Sequence, residues 1–268
     1  MERRELGKTR EKVPVIGMGT WQVGNAREEA RVLEIQAIRR GLELGMTLID
    51  TAEMYGGGNA EKLVGEAIRG AEEDAFIATK VSPEHFGYDA VLKSCEASIR
   101  RLGVKQIDLY QLHWPSYRVP IEETMKAMEE LVSRGRIRYI GVSNFSVAQT
   151  LEAREALPRS ELASNQVEYS LTRRSIERNL LPFCEKQKIT VIAYSPLNTG
   201  RLPRNIPQAL LDKYGMTVAQ LMLNWVTNKE SVIAIPKASS AAHVEEDASS
   251  VEKRISADDY NALSRMFA

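Results

Sequence analysis

One run of the sequence, LIDTAEMYGGG at positions 48–58, joins an apolar stretch to a carboxylate and a phenol. Asp50 ends the apolar part, and Tyr55 follows five residues later. A solvated loop would tolerate both side chains without using them. A reactive site would need both, together with partners from elsewhere in the chain. The places where the other apolar runs end therefore decide how this stretch is interpreted.

Polar side chains stand near the ends of the later apolar runs as well. They are Lys80, His113, Ser143 with Asn144, Gln166, Tyr194 with Ser195, and Lys237. Each has an ordinary structural explanation when taken alone, such as a turn cap, a satisfied core histidine or a lysine that extends to solvent. One site explains the whole set better than a series of separate coincidences, so we predict that these side chains converge.

Four of these residues suit protonation of a carbonyl oxygen. Asp50 and Lys80 on neighbouring strands can form a buried ion pair, because either charge alone would be costly there. The Lys80 ammonium is expected to favour the phenolate and lower the pKa of Tyr55, which would make the phenol an acid near neutral pH. His113 can donate a hydrogen bond to the same oxygen. None of the four supplies electrons, so a reduction here requires a cofactor.

The elements that must position these residues alternate regularly along the chain. Eight short apolar runs are rich in β-branched residues, at 13–21, 47–52, 75–81, 107–114, 137–145, 164–169, 190–197 and 231–239. The segments between them carry apolar residues three and four apart, which is typical of helices. One of these segments places Ile176, Leu180, Phe183 and Cys184 on a single helical face.

Hydrophobic strands that alternate with helices indicate a parallel sheet covered on both faces. Eight such units in 268 residues predict a single α/β domain over residues 1–268, folded as a closed (β/α)8 TIM barrel. Active sites of this fold lie at the carboxyl ends of the strands. RRELGKT and KVPVIG near the start are expected to form a β-hairpin over the opposite end.

An open doubly wound sheet is the alternative fold. It usually carries a G-x-G-x-x-G turn after its first strand, and GMGTWQVG has the wrong glycine spacing. The LGKT run at 6–9 resembles a phosphate loop, but Glu2 stands where the first glycine is required. We interpret both matches as chance.

The composition argues against several other functions. The 36 Lys and Arg residues balance 36 Asp and Glu, so no net charge attracts nucleic acid or anionic lipid. No apolar run approaches the ~20 residues that cross a bilayer, and the charged N-terminal segment lacks a signal-peptide pattern. Cys95, Cys184 and three histidines form no ligand-spaced cluster, which predicts neither a disulfide nor a metal site. We expect a cytoplasmic protein.

Eight motifs make the chain resemble the aldo-keto reductases over nearly its whole length. They are GMGTW, LIDTAEMYGGGNAEKLVGEAI, ATKV, DLYQLHWP, RIRYIGVSNF, NQVEYS, AYSPL and IPKAS. The resemblance implies the barrel fold and a catalytic tetrad of Asp50, Tyr55, Lys80 and His113, with Tyr55 as proton donor. It also implies a monomer that reduces small aldehydes, and by extension ketones or dicarbonyls, with NADPH and more weakly with NADH. A cofactor-binding regulatory subunit is the alternative, although such a subunit would have no use for a complete tetrad.

The resemblance further implies where coenzyme and substrate would bind. Ser143, Asn144 and Gln166 would bond to the carboxamide of the coenzyme, and Tyr194 would stack on its nicotinamide. Backbone near Ser195 and Leu197 would hold the pyrophosphate. The other coenzyme contacts would be Gly19, Thr20, Trp21, Lys237, Ser239, His243, Glu246 and Asp247. Trp21, Met54 and Trp114 would form the walls of a substrate pocket, which the short segment HWPSYRVPIEE should leave open.

The segment IPKASSAAHVEED departs from the family pattern where the 2′-phosphate of NADPH would bind. Lys237 matches the pattern, Ala238 replaces a serine, and His243 replaces an arginine. Asp247 stands where asparagine is usual. An imidazole cannot give the two parallel hydrogen bonds of a guanidinium. We therefore expect a weaker preference for NADPH over NADH than in relatives that keep the arginine.

Overall fold

The structure is a computed structural model that describes residues 1–25 and 27–267. The strands are β1 (Arg3–Glu5), β2 (Lys12–Pro14), β3 (Met18–Gly19), β4 (Leu48–Asp50), β5 (Phe76–Val81), β6 (Ile107–Leu112), β7 (Ile137–Ser143), β8 (Leu162–Glu168), β9 (Thr190–Tyr194) and β10 (Val232–Ile235). The helices are α1 (Glu28–Glu43), α2 (Asn59–Ala67), α3 (Tyr88–Leu102), α4 (Ile121–Ser133), α5 (Val147–Glu155), α6 (Leu180–Gln187), α7 (Gln208–Tyr214), α8 (Val218–Val226), α9 (Ala241–Ser249) and α10 (Ala257–Met266).

Strands β3 to β10 form one parallel sheet in which each strand lies beside the next one along the chain. The two ends of this sheet meet, because Ile16 forms a parallel bridge with Ala234 and the Gly19 N–H donates to the Pro236 carbonyl at 2.8 Å. A Cβ atom at Gly19 would lie 2.8 Å from the Ile235 carbonyl oxygen, so this seam requires glycine. The predicted (β/α)8 barrel is confirmed, and the open sheet is excluded.

The predicted hairpin is also present and closes the N-terminal end of the barrel. Strands β1 and β2 pair antiparallel. Leu6 and Val13 are buried with the first residues of two barrel strands, Leu48 and Phe76, in the apolar cluster that fills the barrel interior. A second, larger cluster lies between the strands and the helices. Because apolar packing fills the amino ends of the strands, the polar side chains collect at the carboxyl ends.

The structure differs from the sequence prediction between residues 176 and 184. A short 3₁₀ helix covers Ser175–Arg178 and α6 begins separately at Leu180, with Asn179 between them at φ −139°. Pro182 lies in the first turn of α6. It has no N–H to donate to an earlier carbonyl, and proline is tolerated only near the start of a helix. The apolar spacing is therefore helical, but a single helix cannot run through it.

None of the helices described is long and apolar enough to cross a lipid bilayer.

Candidate active site

A cavity of about 940 Å³ opens at the carboxyl ends of the barrel strands. Residues from several strands and loops line it, including Gly19, Thr20, Trp21, Asp50, Met54, Tyr55, His113, Trp114, Ser143, Asn144, Gln166, Tyr194, Ser195, Leu197, Lys237, Ser239, His243, Glu246 and Asp247. Of the site residues predicted from the sequence, Lys80 alone does not line the cavity, since it lies fully buried beneath its floor. The roles assigned to these residues stay predictions.

A buried ion pair lies under the cavity. Lys80 Nζ donates to Asp50 Oδ2 at 2.7 Å, and the two side chains are 0% and 4% exposed. The ammonium also donates to the Thr51 carbonyl at 2.8 Å and lies 3.4 Å from the Tyr55 hydroxyl. Burial is the largest single influence on Lys80 and lowers its pKa, but Asp50 and Tyr55 together raise that pKa above its ordinary value. Lys80 is therefore a cation with an acceptor for each of its three protons.

Two glutamine side chains hold the other oxygen of Asp50. Gln166 Nε2 donates to Oδ1 at 2.6 Å, and Gln111 Nε2 lies 3.4 Å from the same atom. Gln111 was not predicted as a site residue. It is directly beside Lys80 in the register of β5 and β6 and is fully buried. Its signal in the sequence is a second polar residue, after Asp108, within the largely apolar strand IDLYQL.

Tyr55 is less acidic than the sequence predicted. Its pKa is raised, chiefly because burial removes water from the phenolate. The Lys80 ammonium lowers that pKa, but the Asp50 carboxylate raises it and offsets part of the lysine's effect. The prediction of a lowered pKa was wrong because it counted the lysine charge without its counter-ion or the burial. Tyr55 is consequently protonated at neutral pH, which is the state that a proton donor needs.

His113 is a neutral imidazole beside Tyr55. The two rings meet edge to face with centroids 5.5 Å apart. Burial, followed by the Lys80 charge, lowers the pKa of His113 to about 3. A neutral ring offers one N–H donor and one lone pair. Its Nδ1 atom is buried and has no hydrogen-bond partner among the residues that the structure describes.

Neutral polar groups orient one another along the adjoining wall. Ser143 Oγ donates to the Gln166 carbonyl at 2.9 Å, and Asn144 Nδ2 donates to the His113 carbonyl at 3.1 Å. The Tyr194 hydroxyl donates to Asn144 Oδ1 at 3.0 Å. Asn144 has a left-handed backbone with φ 64°, which asparagine tolerates better than most residues. The amide and hydroxyl groups are thus held in place before any ligand arrives.

Several other residues at the cavity have left-handed backbones although they are not glycine. They are Gln22, Ser195 and Thr199, with φ of 65°, 50° and 53°, and Asn198 beside them at 50°. Such conformations cost on the order of 1–3 kcal/mol each and gather at ligand sites. Gln22, Thr199, Gly200 and Leu202 line the cavity but were not predicted, because irregular loops have no periodic pattern in the sequence.

The far end of the cavity meets the start of α9. Ser240 caps this helix by accepting the His243 N–H at 3.4 Å. Lys237 is exposed nearby, and Ser239 lies between them in the chain. Free N–H groups at a helix start and a lysine charge together favour an anion.

Two acidic residues of α9 line the same end. The Thr217 hydroxyl donates to Glu246 Oε1 at 2.7 Å, which holds that carboxylate at the surface. Asp247 is buried, and burial together with the neighbouring Glu246 raises its pKa to about 8. Asp247 is therefore largely protonated at neutral pH, and its carboxyl group can donate a hydrogen bond as well as accept one.

Large apolar side chains surround the mouth of the cavity. Trp21, Met54, Trp114 and Leu202 all line it and are exposed to solvent. An exposed apolar cluster of this kind commonly marks a ligand-binding surface. Among the described residues, no three His, Cys, Asp or Glu side chains lie where they could hold a metal ion.

The fold and the site define a (β/α)8 barrel with a ligand-sized cavity at the carboxyl ends of its strands. The model of the aldo/keto reductase family matches residues 15–267. The chain therefore belongs to the aldo/keto reductase family, whose members are NAD(P)H-dependent oxidoreductases that act on carbonyl groups.

Named relatives agree with this assignment. The chain is 41% identical over 261 residues to methylglyoxal reductase YeaE of Escherichia coli, covering 95% of this chain and 91% of the relative. It is 33% identical to a glyoxal reductase of Bacillus subtilis over 94% of this chain and 88% of that protein. A crystal structure of an aldo/keto reductase from Klebsiella pneumoniae with NADP and acetate superimposes with a TM-score of 0.90 at 40% identity. That alignment covers 100% of this chain and 96% of the other.

Proposed function

We propose that this protein reduces small aldehydes and dicarbonyl compounds to alcohols with NADPH, and that Tyr55 gives the proton to the carbonyl oxygen. One observation carries the proposal: a protonated phenol lies between a buried Lys80–Asp50 pair and a neutral His113, at the floor of an open cavity. Among the residues that the structure describes, no comparable arrangement of side chains supports a second function.

The chemistry of the cavity fits a phosphorylated dinucleotide. Its floor offers the pre-oriented groups of Ser143, Asn144 and Gln166, which would hold a carboxamide, and the ring of Tyr194, which would hold an aromatic ring. Its far end offers Lys237 and the start of α9 for a phosphate. The volume of about 940 Å³ is at the upper end of ordinary ligand pockets. When bound, NADPH would supply the hydride that reduces the carbonyl carbon.

The chain's own residues then complete the reduction. As negative charge develops on the carbonyl oxygen, Tyr55 transfers its hydroxyl proton to that oxygen, and the O–H bond of the phenol breaks as that of the alcohol forms. Lys80 lies 3.4 Å from the phenol oxygen and stabilises the phenolate that remains. The N–H of His113 would donate a hydrogen bond to the substrate oxygen, and because the ring is neutral it would not compete with Tyr55 as the acid.

The mouth of the cavity and the names of the relatives both favour small substrates. Trp21, Met54 and Trp114 are exposed walls rather than a closed lid, which suits several small aldehydes. Two relatives carry the names methylglyoxal reductase and glyoxal reductase, so dicarbonyls of that size are the substrates to try first.

The test compares wild type with Tyr55→Phe. Consumption of NADPH is followed with methylglyoxal, glyoxal and a series of simple aldehydes, and coenzyme affinity is measured by quenching of tryptophan fluorescence. We expect turnover by wild type and a loss of about 10²–10⁴ in kcat for the variant with little change in NADPH affinity. Turnover of the variant within a few-fold of wild type would reject Tyr55 as the donor. No turnover of any carbonyl by wild type would reject the substrate class.

A further inference from the structure

A carboxylate outside the tetrad holds the turn that carries Tyr55. Glu53 lies two residues before Tyr55, and its side chain is 9% exposed. Its Oε1 atom accepts the Ser82 N–H at 2.6 Å and lies 2.9 Å from His85 Nδ1. The Glu53 N–H donates to the Lys80 carbonyl at 3.3 Å. The turn is therefore fastened to β5 by its backbone and to the segment after β5 by its side chain.

His85 extends this contact to α3. Its Nδ1 atom also lies 3.0 Å from Ser94 Oγ, and Ser94 is a buried residue of that helix. A carboxylate oxygen accepts hydrogen bonds, so the bond to Glu53 places the imidazole proton on Nδ1, and Ser94 Oγ is then a second acceptor of that same proton. Glu53, His85 and Ser94 thus form a connected set that links the Tyr55 turn to the packed outer layer of the barrel.

The chain on the other side of Tyr55 is a run of three glycines, in which Gly56 packs against the Asn25 side chain but Gly57 has open space beside it. Gly56 and Gly57 follow with φ of 57° and 62°, and glycine populates several such conformations readily. A Cβ atom at Gly57 would meet nothing within 4 Å, so that side of the turn is open. The Tyr55 hydroxyl is 3.4 Å from Lys80 Nζ, close to the limit of a useful hydrogen bond. A small shift of the turn would break this contact.

We propose that Glu53 is a positioning residue for the reaction: its carboxylate fixes the turn so that the Tyr55 hydroxyl stays beside Lys80 and the ring of His113. This inference rests on the proposed function, because it concerns the placement of the proposed proton donor. Glu53 does not touch the reacting atoms. It acts on the rate through the geometry of Tyr55.

The chain offers a matched set of variants. Glu53→Ala removes both side-chain contacts. Glu53→Gln keeps an acceptor oxygen, and both contacts are made to one oxygen of Glu53, so the amide can preserve them. Glu84→Ala is the control, because it removes an exposed carboxylate from the same short segment (Pro83–His85).

The first readout is kinetic. We expect Glu53→Ala to lower kcat about 10- to 100-fold, since a displacement near 1 Å has that cost in a reactive geometry. The KM for the carbonyl and the affinity for NADPH should change little. Glu53→Gln should stay within about threefold of wild type because its hydrogen bonds survive. Glu84→Ala should match wild type.

The second readout needs neither coenzyme nor turnover. The phenol of Tyr55 is titrated by its ultraviolet absorbance, taken as the difference between each protein and its Tyr55→Phe counterpart. Burial is the largest cause of the raised Tyr55 pKa. A loosened turn exposes the ring, so the Tyr55 pKa in Glu53→Ala should fall towards the ordinary value of about 10. A role of Glu53 in stability alone would leave this titration unchanged in the folded protein.

The outcomes separate this inference from the proposed function. If Tyr55→Phe abolishes turnover while folded Glu53→Ala keeps kcat within about threefold, the positioning role is wrong and the proton donor stands. Failure of Glu53→Gln to restore kcat would also overturn the positioning role. Full activity of Tyr55→Phe would overturn the proposed function instead. Should Glu53→Ala not fold, His85→Ala removes one of the two contacts at an exposed residue, and an unchanged kcat and Tyr55 titration there would reject the inference.

Discussion

Removing Lys80 should destabilise the protein mainly through the charge it leaves behind. In Lys80→Met, Asp50 loses a donor at 2.7 Å in a site where the two side chains are 0% and 4% exposed. Gln166 still donates to Asp50 Oδ1, but Oδ2 loses its bond to the ammonium. Breaking a buried pair from one side costs about 3–5 kcal/mol. That is a large part of the typical free energy of unfolding of a native protein, which is roughly 5–15 kcal/mol.

Asp50→Asn in the same background should return part of this loss. The double variant has no unpaired charge, and Gln166 can still donate to the asparagine oxygen. Asp50→Asn alone leaves the Lys80 ammonium buried, and among the described residues its remaining close acceptors are the Thr51 carbonyl and the Tyr55 hydroxyl. The losses in free energy of unfolding of the two single variants should therefore add up to more than the loss in the double variant. We expect this difference, the coupling energy, to be about 2 kcal/mol or more.

The assay is urea unfolding of wild type, both single variants and the double variant, followed by circular dichroism and extrapolated linearly to water. Turnover is measured on the same samples, and we expect none from any of the three variants. The reasoning is refuted if the two changes add to within about 0.5 kcal/mol, because independent sites behave in that way. If the two changes are coupled but Lys80→Met still turns over substrate, the ion pair exists but has no part in the reaction.

Three further predictions concern His113 and the coenzyme. His113→Ala should lower kcat/KM for every carbonyl by a similar factor, because its N–H would meet the reacting oxygen that all of them share; an effect on some substrates only would make it a specificity residue. The pKa of His113 is about 3 in the folded protein and near 6.5 in the unfolded chain. Between these two pH values only the unfolded chain binds the proton, so the stability of the fold falls as the pH drops below about 6.5. Between pH 7 and pH 4.5, the free energy of unfolding measured in urea should fall by roughly 2–3 kcal/mol more for wild type than for His113→Ala. Equal losses in the two proteins would contradict the lowered pKa. NADPH should be preferred over NADH in kcat/KM, with the preference reduced by Lys237→Ala and increased by His243→Arg, whose planar donors suit a phosphate; equal use of both coenzymes by wild type and by Lys237→Ala would remove the phosphate site from this segment.

Local patterns were enough to predict the barrel and the place of its site. The alternation of apolar runs with helical spacing depends on neighbouring residues only, so it is visible in the chain before folding. Asp50, Ser143 and Tyr194 are each the last residue of a strand, as their position at the end of an apolar run indicated. In a closed parallel barrel the carboxyl ends of the strands meet at one face, which is why residues far apart in sequence could be grouped.

The tertiary structure alone decided how these groups behave. Tyr55 has a raised rather than a lowered pKa, because burial and the Asp50 carboxylate together outweigh the Lys80 charge. Gln111 beneath Asp50 and Glu53 beside Ser82 lie within the motifs DLYQLHWP and LIDTAEMYGGG, but residue type and spacing did not assign either of them to the site. Desolvation and hydrogen bonding depend on which atoms surround a side chain from distant parts of the chain, and residue types and spacings do not specify those atoms. The sequence by itself determined which groups are present at the rim, and packing determined their charge and their orientation.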